Sequence, residues 1–399
     1  MKIYAKIIDD ITLQQAKEIQ SYYPDSNIVL MPDVHGGKDT LVGLTMTITD
    51  RISPYLIGND IGCGMTTYVI EKNIDLKKHL GLLDDIIHKY IPAGKNIHES
   101  EYISGRILRG SNYLNSSLRF LNTPLNDEQL NKIYRSLGTL GSGNHFIELG
   151  EGKDNYYLTV HSGSRGLGAL IFKYWKNRAE KYHKAKYDNI LKFQISNIPP
   201  RERENFIKEF KKAHNIPQQY MCLETLGMEE YLCDVTIAKN YAKENREIIL
   251  QTIFRELKKE IPELKVYGIR ESIHNYVEDN ILRKGAIFGC HTHCIIPLNM
   301  RDGIIFGFGK SDKDWNYSLP HGAGRVMSRK EAFNTITLDE FKESMKDVYS
   351  SCVNESTIDE SPMVYKNKDD ILDLIKDRID ILDIAKPIYN FKGVWLWLK

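Results

Sequence analysis

The residues of this chain that could do chemistry lie far apart in sequence, and the densest group is Ser318-Leu319-Pro320-His321-Gly322-Ala323-Gly324-Arg325. Gly322, Ala323 and Gly324 carry almost no side chain, so a bulky ligand can reach the backbone beside the His321 imidazole. Pro320 removes an amide donor and stiffens the approach. Arg325 offers a planar fork of donors matched to phosphate oxygens. A histidine beside such a seat can act as ligand, acid/base or covalent nucleophile. The plainer alternative is a tight turn with a bystander histidine.

A second group is metal-like. Gly58, Gly62 and Gly64 break helix and strand alike, leaving Asp60 and Cys63 on a loop able to curl around an ion. A carboxylate and a thiolate three residues apart would suit Zn, Mn or Fe, although a lone cysteine in a glycine turn is more often just buried. The glycine-rich run from Gly138 to Gly143 feeds Asn144-His145, and a later strand ends in His161-Ser162-Gly163-Ser164-Arg165. His274-Asn275 follows another short strand. Asp60, Cys63, His145, His161 and His274 form one candidate ligand set, able to hold two ions if the thiolate bridges them. Ligand softness alone points to zinc. His321, left over beside a phosphate seat, then suggests covalent nucleotidyl transfer with metals neutralising phosphate charge. Two further groups fall away. Cys290-His291-Thr292-His293-Cys294 lacks a second pair at zinc-finger spacing and reads as alternating strand side chains. Gly309-Lys310-Ser311 has Ile304 where a phosphate loop needs glycine.

These residues need a scaffold of both strands and helices. Strands are expected at residues 3–8, Leu41 to Thr49, Met65 to Ile70, Tyr156 to Val160 and Lys265 to Ile269. An apolar strand from Ile28 should run into a loop carrying Asp33 and His35, a frequent placement for reactive groups. Helices are expected from Thr12 (as N-cap) to Tyr22, over 74–90, from Asn126 to Tyr134 and, broken at Pro199-Pro200, through about 170–260. In that last region Lys173, Lys176, Arg178, Lys181, Lys184 and Lys186 cluster, as a solvated face or a nucleic-acid contact. Leu338 to Ile388 reads as helical and charged.

Composition sets the class. The chain has 399 residues, 42% hydrophobic and 27% charged, ample for a large core. A net charge of +1 supplies no global field for nucleic acid or membrane, so any such site must be a local patch. Six cysteines make no regular disulfide framework. The N-terminus lacks the apolar core of a signal peptide, and no apolar run is long enough to span a bilayer. A soluble, reduced, cytoplasmic protein with no membrane partner is expected.

In order along the chain stand Met31-Pro32-Asp33-Val34-His35, Asp60-Ile61-Gly62-Cys63-Gly64-Met65 and Gly141-Ser142-Gly143-Asn144-His145-Phe146. His161 to Gly166, His274-Asn275-Tyr276, Arg283-Lys284-Gly285-Ala286 and His321 to Arg329 complete the series. Over nearly its whole length the chain thereby resembles the RtcB family of RNA ligases. The resemblance implies one large α+β domain over 1–399, with mixed sheets around a central metal cleft and a helical insertion at about 170–260. It implies a GTP- and Mn(II)-dependent ligase joining an RNA 3′-phosphate or 2′,3′-cyclic phosphate to a 5′-hydroxyl. Asp60, Cys63 and His145 would hold one manganese and Cys63, His161 and His274 the other, while His321 would take GMP through a P–N bond. Nucleotide contacts would come from Asn144, His145, Phe146, Ile147, Glu148, His274, Asn275, Asn299, Met300, Gly322, Ala323, Gly324 and Lys392, and phosphate contacts from Arg165 and Arg325. Three positions depart from the family pattern. Pro297-Leu298-Asn299-Met300 replaces Pro-Gly-Ser-Met, so Leu298 is expected to crowd the nucleotide; Ser272-Ile273 precedes His274; and Val394 to Lys399 extends past Lys392-Gly393. A metal-dependent phosphodiesterase or phosphatase that never forms the GMP adduct is the runner-up. A relic RNA-binding protein comes third, because the ligand set is complete.

Overall fold

The structure is a computed structural model that describes residues 1–100 and 117–393; the Val394–Lys399 extension lies outside the described residues. Seven strands make the main sheet, in the order Cys290–Asn299, Gly303–Lys310, Ile379–Lys392, Phe146–Glu151, Asn155–Ser162, Gly64–Glu71, Val266–Ile273. Every pairing between neighbours is antiparallel. A five-stranded sheet in the order Lys2–Ile3, Ile28–His35, Val42–Thr47, Ile281–Lys284, Tyr276–Glu278 lies beside it, with two small two-stranded pairs. The architecture is α+β.

Register explains how distant motifs meet. Met65 pairs with His161, and Phe146 pairs with His161 from the other side. Gly64 pairs with both Ser162 and Ile273. The strand ends that carry Cys63, His145, His161 and His274 are therefore neighbours at one edge of the sheet.

Helices pack against one face of these strands. The Arg165–Ile195, Arg203–Ala213 and Thr225–Glu260 helices occupy the region expected to be helical. The third is no surface appendage. Ile249, Leu250, Ile253 and Leu257 are buried in one core cluster with Ile70, Ile147, Leu158 and Val160 of the sheet. A second cluster joins Leu44, Met46, Ile57 and Ile61 to Trp175, Val235 and Tyr241, so the first helix of the region is tied to the same core.

Several elements differ from their sequence expectation. The 3–8 strand shrinks to Lys2–Ile3. The first helix begins at Asp10, and its cap is Asp9, whose carboxylate accepts from the Thr12 amide at 2.7 Å. The Ile28 strand does not end before Asp33 but runs to His35, because a register shift between Leu30 and His35 carries it past Pro32. Cys290 to Cys294 does open a strand, yet His291 has φ +49 and the register slips between Cys290 and His293. Regular alternation starts only at His293. The largest correction concerns the end of the Leu338 to Ile388 stretch expected as helical, where Ile379–Lys392 is a 14-residue strand. Its Ile-Asp-Ile-Leu-Asp-Ile spacing imitates a helical period. Bulges opposite Phe306–Gly307 and at Pro387 to Tyr389 are what let that sequence pair on both sides.

Candidate metal centre

Cys63 sits where the glycine loop enters the Gly64–Glu71 strand. Gly62, at φ +69, is needed there: a side chain would lie 2.6 Å from the Lys239 Cα, so only glycine lets the loop close against the Thr225–Glu260 helix. Five potential ligands converge. Cys63 Sγ is 3.2 Å from His161 Nε2 and 3.5 Å from His145 Nε2. His145 Nε2 is 3.0 Å from Asp60 Oδ2, and His161 Nε2 is 3.3 Å from His274 Nε2. The atoms fall into two triads sharing Cys63: Asp60-Cys63-His145 and Cys63-His161-His274, each within 4.8 Å.

The far sides of the rings are already taken. His145 Nδ1 lies 2.9 Å from the Leu140 carbonyl and His161 Nδ1 3.1 Å from the Asn144 carbonyl, which fixes their tautomers and aims both Nε2 lone pairs inward. Burial, reinforced by the neighbouring imidazoles, pushes His161 and His274 well below the ordinary histidine pKa, so both are neutral. Burial and the Asp60 carboxylate push the Cys63 thiol well up. A cation among these atoms would reverse that by drawing off the thiol proton. Sulfur, nitrogen and carboxylate donors pointing at one another with no counter-donor between them fit one or two divalent ions.

The supports of this cluster left no motif in the sequence. Asn245 and Arg246, both fully buried on the Thr225–Glu260 helix, stitch the ligand loops together. Asn245 Oδ1 accepts from the Gly138 and Thr139 amides and its Nδ2 donates to Ser162 Oγ. Arg246 donates to the carbonyls of Gly62 and Ser162 at 3.0 and 2.9 Å, to Thr66 Oγ1, and to Glu271 at 3.0 Å. Two adjacent polar residues inside a mostly apolar helix stripe were the available signal, and it is a weak one.

His321 lies beside the centre, its ring centroid 4.8 Å from that of His274. Asp33, fully buried, holds it. One carboxylate oxygen accepts from His321 Nδ1 at 2.6 Å and from the His321 and Gly322 amides at 3.1 and 3.2 Å. Gly324, at φ +75, makes this close approach possible, since a side chain there would meet the Asp33 carbonyl at 2.2 Å. His35, the other residue expected to be reactive here, donates from Nδ1 to the Asp33 carbonyl at 2.9 Å, and burial lowers its pKa to about 4.

Both features open into one cleft of about 2040 Å³. Phe146, Glu148, Asn275, Asn299, Met300, His321 to Arg325 and Lys392 line it, as do Arg165 and Lys284. Not every expected contact faces it freely. Ile147 points the other way, into the core with Leu158 and Val160. Asn275, at φ +65, spends its side chain on the Asp60 carbonyl and the Gly285 amide. Asn299 caps its own turn, accepting from the Arg301 and Asp302 amides and donating to Asp302. Arg325, expected at phosphate, has its guanidinium donating to the Met327 and Asp359 carbonyls and lying 3.6 Å from Glu360. Arg165 donates to Thr139 Oγ1 and the Gly94 carbonyl while still lining the cleft. Lys392 donates to Glu360 at 3.1 Å, and its ammonium stands 5.0 Å over the Phe146 ring. Burial alone would raise Glu360, but Lys392, Arg329 and Arg325 outweigh it and hold the carboxyl at about 2. Leu298 is buried in a core cluster with Ile296, Ile305 and Ala323, so most of its bulk is absorbed behind the cleft wall.

Among the described residues, no helix is long and apolar enough to cross a membrane. The family model of tRNA-splicing ligase RtcB matches residues 15–393. The RNA-splicing ligase RtcB of Escherichia coli K12 is 27% identical over 405 residues, covering 92% of this chain and 90% of that protein. The tRNA-splicing ligases RtcB of Methanococcus maripaludis and Nanoarchaeum equitans are each 25% identical. The alignments cover 91% and 98% of this chain, and 87% and 92% of those proteins. With the match spanning all five ligands, His321 and Lys392, the chain belongs to the RtcB family.

Proposed function

We propose that this protein is a GTP- and manganese-dependent RNA ligase that joins a 3′-phosphate or 2′,3′-cyclic phosphate end to a 5′-hydroxyl end through a guanylylated His321. The observation that carries the reading is the Asp33–His321 pair beside the two triads. A histidine whose Nδ1–H is given to a buried carboxylate carries its lone pair on Nε2, which is the form a nucleophile needs. Hydrolysis by metal-bound water does not require such a histidine, whereas nucleotidyl transfer through a P–N bond does.

Manganese would be held by Asp60, Cys63 and His145 and by Cys63, His161 and His274, and would neutralise phosphate charge during transfer. The protein's own part is to hold and aim groups. His321 Nε2 attacks the α-phosphorus of GTP, a P–N bond forms and pyrophosphate leaves. Asp33 balances the positive charge that grows on the ring. An oxygen of the RNA 3′-phosphate then attacks the same phosphorus, restoring the imidazole and leaving GMP joined to the RNA end. Finally the 5′-hydroxyl attacks the RNA phosphorus and GMP departs. A 2′,3′-cyclic end must first be hydrolysed to the 3′-phosphate. Lys284 also lines the cleft, with its ammonium donating to Thr40 Oγ1 and the Tyr55 carbonyl, and burial pushes its pKa down to about 8, so it adds positive charge to the cleft wall near pH 7. A cytoplasmic setting suits this reading, since all six cysteines are free and reducing conditions favour an unbridged thiol.

Incubation with Mn(II) and α-labelled GTP tests it directly. Acid-labile label should appear on the protein and vanish in His321→Ala. Absence of label from metal-loaded wild type would overturn the ligase reading in favour of metal-dependent hydrolysis of RNA ends.

A further inference from the structure

One cleft side chain, Asn390, has no part in the chemistry above, and the family resemblance implies a nucleotide contact only for its partner, Glu148. Glu148 and Asn390 are directly opposed across adjacent strands, and Asn390 Nδ2 donates to Glu148 Oε2 at 2.8 Å. Their exposures are 2% and 1%. Each nevertheless keeps one polar atom without any partner among the described residues, Glu148 Oε1 and Asn390 Oδ1. Two neighbouring buried oxygens left unmet are uncommon in a folded protein, and at the wall of a ligand cleft both are free to accept from a ligand. Both residues line the cleft that holds His321.

Their position fits a base. Along the Phe146–Glu151 strand, Glu148 is two residues beyond Phe146 and so on the same face, about 7 Å farther from the metal end. Phe146 in turn lies against His161, with ring centroids 5.3 Å apart. The face thus runs from metal ligand to aromatic ring to the paired oxygens. Lys392, two residues past Asn390 on the facing strand, adds a cation beside the ring.

Resting on the ligase reading above, we infer that Asn390 is a specificity-determining residue of the nucleotide site. It fixes Glu148 and pairs its own Oδ1 with the free Glu148 oxygen as a two-acceptor edge for guanine. Guanine presents two adjacent donors, the ring N1–H and the 2-amino group. Glu148 Oε1 takes the first and Asn390 Oδ1 the second. Adenine presents a bare ring nitrogen in place of N1–H and meets an oxygen there. Hypoxanthine keeps N1–H and lacks only the amino group, so it separates the two contacts.

The experiment compares GTP, ITP and ATP as donors of label to His321, with calorimetric binding of GTP and ITP alongside. Wild type should favour GTP over ITP by about tenfold or more and reject ATP further, in line with the discrimination of one well-placed hydrogen bond. Asn390→Ala should bring the GTP to ITP ratio near one in both labelling and binding while ATP stays poor. Glu148→Gln should instead raise ATP relative to GTP. An Asn390 that merely braces the fold would lower all three nucleotides together and leave the ratios as in wild type, and that result overturns the inference. Should Asn390→Ala fold poorly, Asn390→Leu keeps the side-chain volume without either polar atom and should likewise bring the GTP to ITP ratio near one; a wild-type ratio there would also count against the inference. Failure of every nucleotide to label wild type would strike the ligase reading itself, a separate outcome.

Discussion

Replacing Asp33 by asparagine isolates the electrostatic part of His321 activation. The shape is unchanged, and an amide oxygen at the same place can still accept from His321 Nδ1 and from the His321 and Gly322 amides. What is lost is the charge. A hydrogen bond to an ionised acceptor is worth about 1.4 kcal/mol more than one to a neutral acceptor, tenfold in rate. As the P–N bond forms, positive charge grows on a ring whose Nδ1 is 2.6 Å from the carboxylate. At an effective dielectric of about 20 a charge pair near 4 Å is worth about 4 kcal/mol, which caps the loss near 1000-fold. Asp33→Asn should therefore slow guanylylation by about 10- to 1000-fold, read as the burst of label from α-labelled GTP in rapid-quench experiments. Metal content and melting temperature should stay at wild-type values. A labelling rate within twofold of wild type would refute the assignment of Asp33 as the residue that positions and charges His321.

Two further perturbations probe the centre and its surroundings. Cys63 is common to both triads, so Cys63→Ser should lower bound metal at both sites, whereas His274→Gln should empty one; elemental analysis of dialysed protein checks this, and Cys63→Ser holding two equivalents would refute the shared thiolate. Glu148 is raised to about 8 by burial, although the Asn390 hydrogen bond and Lys392 pull the other way. The folded state then binds its proton more tightly than the unfolded chain, so its stabilising contribution is complete below about 4.5 and drains away as pH rises through about 8. Wild type should lose a few kcal/mol of stability relative to Glu148→Gln across that window, measured by urea unfolding at several pH values. Parallel pH profiles for the two proteins would refute the burial argument. Guanine donors stabilise the ionised carboxylate, so GTP binding near pH 7 should also release a proton, visible as a buffer-dependent heat.

Chemistry was legible in this sequence to the extent that it is local. Asp60 and Cys63, and His321 with its small flanking residues, each announce themselves within a few positions, because a loop that must approach an ion or nucleotide needs glycine beside its ligands. The convergence of five ligands is a matter of register, such as Met65 opposite His161 and Gly64 opposite Ile273, and only the ordered family motifs supplied it in advance. Partner choice was the least legible. Arg325 has the right shape for phosphate, yet buried Asp359 and Glu360 more than thirty residues later hold its guanidinium. Asp33 looked like one of two loop residues, yet it became the anchor of His321 because Ile28–His35 continues as a strand past its proline. The same logic applies to Asn390, which sits in a stretch whose pattern imitates a helix. Only when that stretch pairs as a strand opposite Glu148 do two unmet oxygens come to lie together in the cleft. A side chain's role here is decided by what stands across the sheet from it, and nucleotide choice is where that should be measured.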